Sequence, residues 1–257
     1  MISIGDLVVC ISDIDKVVYK VEEIKDTKAT LYGYIYRIIK HEEIEKIRHA
    51  NDNEIKQANE IINKNYLNIK KINNVRNDKK VIYGTILHID GDKNFLESCM
   101  NLYKEMNIFA WGLHLSEKKV KNHIEKIIEQ INPDIIVVTG HDYYNGKGIK
   151  DLANYENSSE FIETLKAIRK KFRKDDLTVI IGACSSNFEA LIANGANFAS
   201  SPKRINIHTF DPCVIAIKCA TTSYNKTIDF EKTLKYIENG RNAFGGIETK
   251  GKMKLLL

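Results

Sequence analysis

The chain has 257 residues, 43% of them apolar and 28% charged, the balance of a soluble globular protein long enough to bury a sizeable core without covalent staples. Its net charge of +5 comes largely from lysine-rich stretches with helical spacing, so no nucleic-acid partner is expected, and no apolar run approaches the length of a membrane span, so no membrane insertion is expected either. Five widely spaced cysteines (Cys10, Cys99, Cys184, Cys213 and Cys219), odd in number and without a CxxC pair, argue against a disulfide framework and suit a reducing compartment.

The first seven residues carry no basic run, and Asp6 interrupts what would be an apolar segment, so no N-terminal export signal is expected. Residues 1–48 hold short β-branched and aromatic runs at 7–11, 17–21 and 29–34 between Gly, Asp and Lys turns, a pitch that predicts a small SH3-like β-barrel. Residues 49–80 are polar, with Ile61, Ile62, Leu67, Ile69 and Ile72 only loosely periodic, and read as a charged helix followed by a linker. From residue 81 the pattern changes. Apolar strands at 83–90, 108–114, 134–139 and 177–181 alternate with helical stripes through Phe95 and Leu102, through Val120 and Ile128, and through Phe161 and Phe172. That alternation predicts an α/β domain over 81–257, a parallel sheet with helices on both faces, caspase-like or doubly wound. Beyond it, 188–194 reads as a short helix, 214–220 as a further strand, and 238–246 as a loop.

In open α/β sheets ligands gather beyond the carboxyl ends of the strands. Those ends carry Asp90 and Asp92, then His114, then His141 and Asp142, then Cys184, Ser185 and Ser186. If the third and fourth strands are neighbours, about 4.8 Å apart, His141 and Cys184 meet over one lip. An imidazole beside a thiol can hold it as the reactive thiolate. Helix-start residues Ser185, Ser186, Asn187 and Glu189 would bring backbone N–H groups to the sulfur and to a developing oxyanion. Taken alone, Cys184 reads more readily as an inert buried thiol and His141 as a loop residue. Together they gain weight, because each follows an apolar strand and a pair of small residues, Thr139 and Gly140 or Gly182 and Ala183.

An apolar strand ending in histidine, then one ending in Ala-Cys, resembles the caspase–gingipain–legumain clan of cysteine peptidases. The blocks LHIDGD at 87–92, PDIIVVTGHD at 133–142, GACSSNFEA at 182–190, GANFASSP at 195–202 and GGIETK at 245–250, with the Gly5-Asp6 opening, are similar more specifically to the YabG sporulation-specific peptidase family of spore-forming Firmicutes. The resemblance spans nearly the whole chain. It implies a thiol protease of the mother-cell cytoplasm, associated with the forming spore coat, whose partners are spore coat and cortex-associated protein substrates cut after basic residues, especially arginine. It requires no cofactor. Carried over by motif, Cys184 is the nucleophile and His141 the general base. The clan's glycine after the histidine is Asp142 here, so the oxyanion hole would use the Asp142 and Cys184 amides. A buried carboxylate would receive the substrate arginine, with Asp92 and Asp90 first and Asp142 and Asp211 in competition. The pair Asp90 and Asp92 reads equally as a turn with a helix cap.

Two other readings stay open. His88, Asp90, Asp92, His114, His141 and Asp142 could serve a metal-dependent hydrolase, although no tight ligand spacing such as HExxH occurs. A non-catalytic doubly-wound sensor or scaffold is the third, with neither a P-loop nor GxGxxG to support a nucleotide role. An amidotransferase-type thiol site is disfavoured, because Cys184 lacks the second glycine of a nucleophile elbow.

Overall fold

The structure, a computed structural model, describes residues 1–73 and 81–256; residues 74–80 of the expected linker lie outside them. Strands β1 (Leu7–Cys10), β2 (Val18–Lys25), β3 (Lys28–Gly33), β4 (Ile39–Glu43) and β5 (Ile47–His49) form an antiparallel sheet in the order β4-β3-β2-β1-β5. Alternation along the strands sends Val8, Cys10, Tyr19, Val21, Leu31 and Ile47 into one small core. β4 and β5 end the order and are joined in the chain by a single 3₁₀ turn, Ile44–Lys46.

Helix α1 (Asp52–Lys70) starts at a reciprocal capping box between Asn51 and Glu54. Ala58 packs against Val9, Val18 and Ile35 of the N-terminal sheet, while Ile69 near the other end joins the core of the larger unit. The helix therefore ties the two cores together.

The larger unit runs β6 (Val81–Ile82), β7 (Ile86–Asp90), α2 (Lys93–Glu105), β8 (Ala110–His114), α3 (Glu117–Ile131), β9 (Ile135–Thr139), α4 (Ser158–Arg169), β10 (Thr178–Ile181), α5 (Phe188–Ala193), β11 (Phe198–Ser200), α6 (Asp211–Thr221), α7 (Phe230–Leu234), β12 (Phe244–Gly246) and β13 (Lys254–Leu255). Six strands make one sheet in the order β12-β11-β10-β9-β7-β8, parallel except for the edge strand β12. Every residue of β7, β9 and β10 is buried. Ile86, Ile135, Val137 and Ile180 face α2 and α6; Leu87, Ile89, Val138 and Ile181 face α3 and α4. That double cover is why these strands read as unbroken apolar runs. β7 is the first strand of this sheet in the chain yet lies between β8 and β9, so the order reverses at β7/β9, the switch point where such sheets open a crevice.

Two expected elements differ. Residues 214–220, read as a strand, lie in helix α6, which Pro212 starts at its first turn. Nearly all of α6 is buried against β9 and β10, so it is apolar on every side and its periodicity is erased. The segment 238–246, read as a loop, holds a 3₁₀ turn (Gly240–Asn242) and β12.

Candidate active site

β9 and β10 are neighbours, with Val138 level with Ile181. Carried three residues further, that register would set His141 opposite Cys184, but the ladder ends before them and neither a hydrogen bond nor an ion pair joins the two side chains. The cysteine leaves the sheet through a bend that few side chains would tolerate. Gly182 has φ +111°, and a Cβ there would lie 2.4 Å from Ser200 Oγ. Ser185 follows in the left-handed region at φ 56°, held by its N–H on Ser201 Oγ at 2.9 Å.

The Cys184 sulfur accepts the Ile207 N–H at 3.0 Å. The expected donors at the following helix start are engaged elsewhere: α5 begins only at Phe188, and the Ser185 and Asn187 amides bond Ser201 and Ser158 hydroxyls. Burial pushes the thiol well above its ordinary value.

His141 is buried between Tyr32, stacked at 4.1 Å between ring centroids, and Phe95 at 5.5 Å. Both ring nitrogens lack a hydrogen-bond partner, and the Asp92 carboxylate stands 3.8 Å from Nε2. Burial lowers the imidazole to about 4. In this state the thiol is protonated, the imidazole is neutral, and no hydrogen bond joins them.

The loop under His141 is pinned by Glu117, at the start of α3. Its carboxylate accepts the His141 N–H at 2.8 Å, and a Cβ on Gly140 would lie 2.0 Å from it, one on Gly91 2.4 Å. Both glycines therefore admit one side chain that holds the ends of β7 and β9. Sequence reasoning missed Glu117; the small residues at those strand ends were the available signal.

Asp142 is buried and accepts four hydrogen bonds, from the Tyr143 and Asn157 amides and from the Ser158 and Ser186 hydroxyls, at 2.6–2.9 Å. It clamps the histidine loop to the cysteine loop. Burial raises its carboxyl to about 6 against the pull of these donors.

Across the switch point, Asp90 is buried at the end of β7 and pairs with Arg37, whose Nη1 lies 2.8 Å from Oδ2. Arg37 comes from the connection between β3 and β4. Its other arm donates to the Thr209 carbonyl at 2.9 Å, and its guanidinium lies over the Phe95 ring at 5.0 Å. Burial alone would raise the Asp90 carboxyl; the Arg37 charge, aided by His88, overrides this and holds it well below the usual carboxylate range. Sequence analysis did not single out Arg37.

The remaining candidates have local duties. Asp92 caps α2, accepting the Asn94 and Phe95 amides. Asp211 accepts the His208 N–H at 3.0 Å, and burial raises it to about 8. His114 meets the Gly91 carbonyl at 3.2 Å. His88 shares a hydrogen bond with Tyr103 at 3.0 Å. His88, Cys99 and Cys213 also bring one nitrogen and two sulfurs within 4.8 Å of one another, a soft donor set of the kind zinc takes. The Arg37 guanidinium, 3.8 Å from Cys99 Sγ, already supplies positive charge there. Among the described residues, no helix is long and apolar enough to cross a membrane.

Fold and site define an α/β protein whose reactive side chains gather at the carboxyl lip of one mostly parallel sheet. Residues 3–257 match the family described as YabG peptidase U57, and the chain belongs to that family. It is similar to the sporulation-specific protease YabG of Bacillus subtilis (strain 168), 42% identical over 175 residues, which are 67% of this chain and 60% of that protein. The chain thus spans less than two thirds of the length of this relative.

Proposed function

We propose that the chain is a cysteine endopeptidase that acts in the mother-cell cytoplasm during sporulation, cutting spore coat and cortex-associated proteins after arginine. The observation that carries this reading is an arginine, Arg37, whose guanidinium is paired with buried Asp90 while its own carbonyl oxygen takes the Cys184 N–H at 3.1 Å. A residue held in that way has its carbonyl beside the thiol and its side chain in a carboxylate seat. Membership in a peptidase family supports the same reading.

In the mechanism, Cys184 gives its proton to His141 and the thiolate attacks the carbonyl carbon of the arginine. The oxyanion accepts the Cys184 N–H and, from the other side, the Asp142 N–H. His141 then protonates the departing amine. A water that gives its proton to His141 attacks the thioester and releases the new carboxylate. Asp90 holds the arginine, and Asp92, facing Nε2, orients the imidazole. Cys184→Ala and His141→Ala are each expected to lower cleavage of an arginine-containing peptide by about a thousandfold or more, with the protein still folded. Retention of substantial cleavage by either variant overturns the assignment.

A further inference from the structure

The connection between β3 and β4 lies across the candidate site in an ordered register. The Arg37 N–H donates to the Ile207 carbonyl at 2.9 Å, and two residues earlier the Ile35 carbonyl accepts the Thr209 N–H at 3.1 Å. Tyr36 forms an antiparallel bridge with His208 between them. Residues 35–37 thus pair as an added strand with the edge at 207–209, the way extended peptides are bound by main-chain hydrogen bonds with alternate side chains in pockets. On the far side of Arg37 the chain turns to the histidine loop: Ile38 makes a parallel bridge with Asp142, and the Ile39 N–H donates to the Asp142 carbonyl at 3.3 Å. In that parallel pattern the Asp142 N–H faces the Arg37 carbonyl, opposite the Cys184 N–H.

We propose that residues 34–38 are a built-in occupant of the substrate cleft, seated in substrate register with Arg37 in the arginine seat, and that the chain in this form is self-inhibited. The inference rests on the peptidase reading above and deepens it: the edge at 207–209 becomes the docking strand for substrates, with Asp90, Phe95 and the Thr209 carbonyl recognising arginine.

Cys184 and His141 are each at most 1% exposed, as expected of a filled cleft. The occupant is also anchored at both ends. The Gly33 N–H donates to the Ile38 carbonyl and the Tyr34 N–H to the Val18 carbonyl, both at 2.9 Å. Gly33 is obligatory in this bend, because a Cβ there would lie 2.3 Å from the Tyr36 carbonyl oxygen. Cutting the Arg37–Ile38 bond would leave both new ends in β3 and β4, so cutting alone would not clear the cleft. The segment therefore acts as an inhibitor loop, and activity requires that it swing away from the lip.

The test compares the full chain with Arg37→Ala and Arg37→Lys, measuring iodoacetamide labelling of Cys184 by peptide mass mapping and hydrolysis of a short arginine peptide. Arg37→Lys keeps a cation beside Asp90 and guards against an unfolded alanine variant. If the open form is a minor state of a few per cent, Arg37→Ala is expected to speed labelling and lower the apparent KM about ten- to a hundredfold, with Arg37→Lys moving both in the same direction by less. Faster labelling in folded variants with no peptide hydrolysis in any of them sustains the filled cleft and removes the peptidase reading. Equal labelling and equal hydrolysis in parent and variants overturn the self-inhibition and leave the peptidase reading standing.

Discussion

Two carboxylates sit buried at the ends of neighbouring strands and are stabilised in opposite ways. Asp90, at the end of β7, faces a guanidinium delivered from a distant part of the chain, and its carboxyl is held down. Asp142, just past β9, is satisfied by four neutral donors from its own surroundings, and burial lifts it to about 6. Their pH signatures should differ in sign. Asp90 adds stability above its unfolded value of about 3.9 that is lost as pH falls through its lower folded value, whereas Asp142 favours the fold when protonated and loses that advantage as pH rises from about 4 to about 6. The contrast separates a carboxylate that depends on a cation brought from a distant part of the chain from one that is satisfied by neutral donors alone.

The largest effect should come from Asp90→Asn, which leaves the Arg37 guanidinium buried without a counter-charge and costs about 3–5 kcal/mol in urea unfolding. Combining it with Arg37→Met, which removes both charges, should recover most of that loss; no recovery would mean that Asp90 supports the fold apart from its ion pair. Asp142→Asn should cost less, about 1–3 kcal/mol, because its amide oxygen can keep both N–H donors of Oδ1 while the new NH2 replaces the acceptor of Ser158 and Ser186, which must turn their hydroxyls away. A loss as large as that of Asp90→Asn would erase the distinction. A third effect, a pH slope that vanishes at neutral pH, concerns His141, held at about 4 against an ordinary 6.5. The unfolded chain takes up this proton first, so the fold loses stability as pH falls from about 6.5 to about 4. His141→Phe keeps a ring against Tyr32 and should flatten that dependence by up to about 1.4 kcal/mol per pH unit. An unchanged slope would mean that His141 does not titrate in this way.

Much of the frame was legible because its signals are local. The runs 134–139 and 177–181 are apolar on both faces, so their burial between helices could be read from periodicity, and strand ends then pointed to Asp90, His141 and Cys184. Helix α6 was misread for a related reason: a helix buried on every side has no polar face to mark its period. Glu117 gave no reading of its own, because its role exists only where Gly91 and Gly140 converge. Arg37 stands between Tyr36 and Ile38 in the N-terminal module, and nothing nearby in sequence says that it is fully buried against Asp90, 53 residues away.

Chain order and side-chain pattern alone determined the alternating strands and helices, the mostly parallel sheet, and the placing of a thiol and an imidazole at strand ends, because period and burial are written residue by residue. Tertiary structure alone decided what fills the lip. The pairing of residues 35–37 with 207–209, the seating of Arg37 on Asp90 and the pinning of the histidine loop by Glu117 all depend on main-chain edges and charges that meet only after the two sheets pack together. Backbone hydrogen bonds of that kind are open to almost any residue type, so they leave no mark in composition or spacing.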